Sequence, residues 1–171
     1  MHPLLYGPMG AFLGALLAAS TLAGSAWAAT SATPDTPQLT LQAKLFHSRS
    51  GNFSGDVLQA GGPPLVNIVA AADPSTASLV TVVLTLPAQS VLRSDARVRL
   101  LAREQLANGN VRTLADRTLS VGAVAKGSVA HFGFWLQGTG CRPVQLKATL
   151  MLPGQAATPG TTATLPFACG E

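Results

Sequence analysis

Apolar and polar side chains alternate along much of the chain beyond residue 38, most regularly near its C-terminal end. Val144, Leu146, Ala148, Leu150 and Leu152 fall on one face, and Gln145, Lys147 and Thr149 on the other. That period of two is what a half-buried strand requires. Ala163, Leu165 and Phe167 repeat it after Pro153–Gly160, a run of turn residues. The two segments are therefore expected to pair as an antiparallel hairpin with Cys141 and Cys169 at its open end.

The same alternation predicts strands upstream. Leu39, Leu41, Ala43 and Leu45 alternate with Thr40, Gln42 and Lys44, and Val80, Val82, Leu84 and Leu86 with Thr81, Val83 and Thr85. The second of these has a half-apolar outer face, which predicts a central place in its sheet. Short strands are expected at Val57–Leu58 and within Leu65–Ala72. Between the first two segments, His47 to Asp56 is rich in Ser, Gly and Asn and reads as a loop. Val98, Leu100 and Ala102 alternate with Arg97, Arg99 and Arg103, so the arginines share one strand face. Asn108-Gly109 is a strong hairpin signal and predicts a two-residue type I′ turn. The register of the return strand through Val111–Leu119 stays open: a two-residue turn sets Leu100 opposite Arg117, a three-residue turn opposite Asp116. Phe132 and Phe134 point one way and His131 and Trp135 the other, which predicts a mid-sheet strand.

Many short strands, turn signals every few residues and no helical period argue for an all-β chain. The expected fold is an antiparallel β-sandwich of about seven to nine strands, immunoglobulin-like or C2-like, with a closed β-barrel as the alternative.

The N-terminal segment changes the setting. Residues 11–28 are apolar and small, and close with Ala26-Trp27-Ala28, the small-x-small pattern of a signal-peptidase site. The expected organisation is a signal peptide over residues 1–28, a flexible leader over 29–38 and one domain over 39–171. This makes the protein periplasmic or secreted, with no membrane span after cleavage. In such a compartment an even cysteine count favours a Cys141–Cys169 disulfide.

Charge and motifs exclude more than they assign. The chain carries 11 Lys+Arg against 7 Asp+Glu, a formal charge of +4, and only 11% charged residues. That is too sparse a basic footprint for a nucleic-acid binder. Beyond residue 28 only His47 and His131 remain as histidines, and the carboxylates are scattered singly, so no metal site is expected. No Gly-x-Ser-x-Gly elbow, phosphate-cradling glycine loop or His-Glu-x-x-His occurs, so no catalytic residue and no cofactor is assigned. Two surface features remain. Arg97, Arg99 and Arg103 form a basic stripe suited to an anionic partner, and His47, Arg49 and Asp56 lie in one polar loop suited to a small ligand. The expected function is therefore that of a non-catalytic binding or structural module of the cell envelope, its partner a protein or an anionic envelope polymer. The alternative is a small-ligand-binding protein or hydrolase using the His47–Asp56 loop.

Overall fold

The structure is a computed structural model that describes residues 36–59, 65–68, 73–154 and 160–170. The expected signal peptide and most of the leader lie outside the described residues, as do parts of the 60–72 and 153–160 connections. Ten strands and no helix occur among the described residues. They are β1 (Gln38–His47), β2 (Asn52–Phe53), β3 (Val66–Ile68), β4 (Ser75–Thr85), β5 (Arg97–Gln105), β6 (Val111–Ser120), β7 (Val129–Gln137), β8 (Val144–Met151), β9 (Thr161–Leu165) and β10 (Ala168–Gly170). Two antiparallel sheets of four strands are ordered β2-β1-β4-β7 and β6-β5-β8-β9, and β10 pairs β3 in parallel.

The alternation read in the sequence sets the inner faces. Val98, Leu100 and Ala102 of β5, Val80, Val82 and Leu84 of β4, Phe132, Phe134 and Leu136 of β7, and Val144, Leu146 and Leu150 of β8 are all buried. Together with Leu65, Leu165 and Phe167 they form one shared core. Each buried Leu, Val or Phe contributes about 1.5–3 kcal/mol. A one-residue slip of any strand would turn that set outward, so the core pins the register. Each sheet keeps two free edges among the described residues, and the sheets are not closed into a barrel.

The β5–β6 hairpin departs from the expected type I′ turn. Leu106 N donates to Asn110 O, Gly109 N donates to Leu106 O, and Gly109 alone in the loop takes a positive φ, +81°. A type I′ turn would need Asn108 at positive φ as well. The loop is therefore Ala107-Asn108-Gly109, closed by a left-handed glycine, with Gln105 opposite Val111. A bulge then follows, because Arg103 faces Thr113 while Ala102 faces Ala115, leaving Leu114 as the extra residue. Beyond it Leu100 faces Arg117. Both registers that the sequence left open are used, one on each side of the bulge.

Two other expectations change. Strand β7 lies at the edge of its sheet rather than mid-sheet, because its apolar outer residue, Trp135, is covered from the side by Phe46 and Phe53 instead of by a further strand. Val57 and Leu58 form a turn, tied to β1 by Val57 N donating to Ala43 O. The short strand expected within residues 65–72 is β3, and its partner is the chain end at β10, a parallel pairing with no local signal. Strand β4 is central, between β1 and β7, as its half-apolar outer face required.

Candidate anion-binding face on β5, β8 and β9

The predicted arginines share one face. Arg97, Arg99 and Arg103 are exposed on β5, opposite in parity to the buried Val98, Leu100 and Ala102. The row is interrupted at Leu101, and the cross-strand partner of Leu101 is Lys147 of β8. Arg103 likewise faces Gln145, and β9 sets Thr162 beside Lys147 and Thr164 beside Gln145. Leu101, Arg103, Gln145, Lys147, Thr162 and Thr164 line an open groove of about 470 Å³. It offers two cationic heads, an amide and two hydroxyls over an apolar floor. Sequence reasoning missed Lys147, Gln145 and the threonines, because β5 and β8 are about forty residues apart and nothing local announces that they pair.

The stripe is not uniformly available. Arg99 donates from Nε to Asp116 Oδ1 at 2.7 Å, and from Nη2 to Oδ2, a bidentate pair. These hydrogen bonds are the main cause of a raised Arg99 pKa and a lowered Asp116 pKa, with mutual attraction adding to both. The pair stands in solvent, so its worth is local neutralisation rather than stability. Arg97 and Arg103 form no ion pair among the described residues, though Arg103 is near enough to help lower the Asp116 pKa, and Asp116 is the one carboxylate on the outer face of this sheet: Glu104 is its other strand carboxylate and points inward.

In the loop after β1, polar groups hold the chain in place. Asp56 Oδ1 accepts from Ala43 N at 2.9 Å and Leu58 N at 3.1 Å. Ring atom Nδ1 of His47 lies 2.9 Å from the Asp73 carbonyl oxygen. The Asp73 carboxylate accepts from Arg49 N at 3.1 Å and Ser50 N at 3.2 Å. Serine hydroxyls donate to backbone oxygens, Ser50 to His47 O and Ser54 to Gly55 O. The structure thus brings the His47 ring and the Arg49 amide to Asp73, while Asp56 serves β1 separately. The pKa of Asp73 is lowered, chiefly by the Ser50 hydroxyl, with the Arg49 and Ser50 amides and the nearby His47 adding to it against the opposing effect of desolvation.

Two further clusters were not anticipated. Phe46, Phe53 and Trp135 pack on the outer face of the β1-β4-β7 sheet with ring centroids 5.3–6.2 Å apart, and Trp135 remains 42% exposed. At one end of the molecule Glu104 is buried on the inner side of β5, its Oε2 2.8 Å from Arg112 Nη2 but off the direction of the N–H bonds. Nearby, the hydroxyls of Ser78 and Thr139 share a buried hydrogen bond of 2.9 Å. Among the described residues no cysteine is free, no three His, Cys, Asp or Glu side chains converge as metal ligands, and no helix is long and apolar enough to cross a membrane.

The chain matches no model of a known protein family, and no curated protein resembles it in sequence.

Proposed function

We propose that the protein is an exported, non-catalytic β-sandwich that binds an anionic envelope polymer or an acidic protein segment on the outer face of β5, β8 and β9. The observation that carries this reading is the pairing of Leu101 with Lys147, which places a cation where the arginine row is interrupted and joins Arg103 to a groove of amide and hydroxyl groups. Such a surface suits an extended, hydrated ligand whose negative charges recur along its length. Two residues along a strand span roughly 6.5–7 Å, so neighbouring cations lie within a Debye length and act as one field. Binding is accordingly weak and salt-sensitive.

The setting belongs to the same reading. The apolar N-terminal segment directs export, and Cys141 pairs with Cys169 in the oxidising compartment. Val144 faces Leu165 at the open end of the β8–β9 hairpin, and Cys141 and Cys169 flank those two positions in sequence. We read the two sheets as an immunoglobulin-like sandwich, with β4 and β7 in the places of strands B and E, and β6-β5-β8-β9 in those of C′, C, F and G.

The test is retention on a carboxylated or sulfated matrix, and on envelope fractions, across a salt series. The triple variant Arg97→Gln/Arg103→Gln/Lys147→Gln should elute early at low salt. The charge-neutral control Arg99→Gln/Asp116→Asn should behave as the parent protein. Equal retention of the triple variant and the parent, both folded, removes this face as the binding site.

A further inference from the structure

Four strands end the two large sheets, and three of them are built to refuse a partner. Strand β2 has two residues and β9 five. Strand β6 carries Arg112, Asp116 and Arg117 and is bulged at Leu114. Short length, charge and bulges are the ordinary devices that stop edge-to-edge pairing. Strand β7 has none of them. It is nine residues long, pairs with β4 without a shift in register, and contains no Pro, Lys, Arg, Asp or Glu.

The backbone of β7 can be divided between its two sides. Leu86 N donates to Ser128 O and Gly138 N donates to Thr76 O, in the same register as the ladder between them. The even-numbered residues of β7 therefore bond to β4, and by the alternation of an antiparallel ladder the odd ones, Val129, His131, Gly133, Trp135 and Gln137, turn their N–H and C=O groups outward. All five are exposed. The neighbouring β6 leaves this edge open, since Leu114, Arg117 and Leu119 stand across a groove of about 460 Å³ from Gly133, Trp135 and Gln137.

We propose that this edge docks a second copy of the chain: two β7 strands pair antiparallel about a two-fold axis at Gly133, joining two four-stranded sheets into one continuous sheet. The strand reads nearly the same from either side of that glycine, as His131-Phe132-Gly133-Phe134-Trp135. In the self-paired register His131 lies opposite Trp135, Val129 opposite Gln137 and Gly133 opposite itself, and these are the residues whose backbone groups have no strand partner among the described residues. Each such pair exchanges two bonds, so the edge gains about ten backbone hydrogen bonds. On the inner layer Phe132 meets Phe134 and Ala130 meets Leu136. No pair sets like charges against each other, which selects this occupant: the edge is self-complementary in shape and neutral in charge. Trp135, held edge-on by Phe46 and Phe53, is already positioned to cover the His131 of the other copy. An isologous contact of this kind closes at two copies.

The experiment is sedimentation equilibrium of the full exported chain from about 1 to 100 µM, the range in which a dimer of ordinary affinity dissociates. The parent chain should show a monomer–dimer equilibrium. His131→Glu, which leaves the aromatic cluster in place, should weaken it. H131E/W135E sets glutamate opposite glutamate twice and should weaken it at least tenfold. H131K/W135E sets lysine opposite glutamate twice and should restore it. Circular dichroism checks that each variant is folded. A parent chain that is monomeric throughout overturns the proposal, whether or not an added extended peptide occupies the edge. So does a glutamate pair that dimerises as well as the parent, or a lysine–glutamate pair that dimerises no better than the glutamate pair.

Discussion

Replacing Arg112 by Ala should destabilise the domain by about 2 kcal/mol, and the reasoning rests on where Glu104 points. Glu104 follows the inward parity of Val98, Leu100 and Ala102, and is only 3% exposed, whereas its cross-strand partner Arg112 is 51% exposed. A buried carboxylate that loses its counter-ion typically costs 3–5 kcal/mol. Because Arg112 is half in solvent, water can take part of its place, which lowers the expectation to about 2 kcal/mol. Removing both charges, as Glu104→Leu with Arg112→Ala, leaves no buried charge and should cost less than Arg112→Ala alone. The assay is urea unfolding of the four proteins of the double-mutant cycle. With a slope of about 1–3 kcal/mol per molar urea, the single variant should unfold at a midpoint lower by about 0.7–2 M. Residues in contact couple by about 0.5–3 kcal/mol. Additive effects of the two substitutions would refute the pairing, and an unchanged midpoint for Arg112→Ala would refute the burial argument.

Two more predictions concern the loop and the cysteines. The folded-state pKa of Asp73 is lowered, so its hold on the Arg49 and Ser50 amides is present above the unfolded value of about 3.9 and is lost as pH falls through the folded value. Carboxyl and amide NMR titrations should therefore place the Asp73 transition below that of a free aspartate, with the amides of Arg49 and Ser50 moving at the same pH, and Asp73→Asn should abolish the joint transition. Joining Cys141 to Cys169 closes a loop of 28 residues by numbering (169 − 141). The chain-entropy relation makes that worth about 3.5 kcal/mol, so intact mass should be two hydrogens short and reduction should lower the melting temperature; two free thiols in the exported chain would refute the pairing.

The sequence by itself determined which residues face inward. The parity of Val98, Leu100 and Ala102 against Arg97, Arg99 and Arg103, and of Val144 to Leu150 against Gln145 and Lys147, is local and survives whatever the strands pair with, because successive side chains must point to opposite sides of a pleated strand. The arginine face and the β8–β9 hairpin were legible for that reason. Two kinds of feature were not. Asn108-Gly109 announced a hairpin but not its loop length, since the choice between a two- and a three-residue turn was made by the bulge at Leu114 and by the need to bury Leu100 and Ala102 together. Partnership across the sheets was decided only by the tertiary structure. It gave Arg99 the carboxylate of Asp116, set Lys147 beside Leu101, buried Glu104 against Arg112 and left β7 at an edge with its outer backbone groups exposed. Pairing brings together residues tens of positions apart, and the energy that selects it comes from the summed burial of both inner faces, a quantity that no single strand carries in its own pattern.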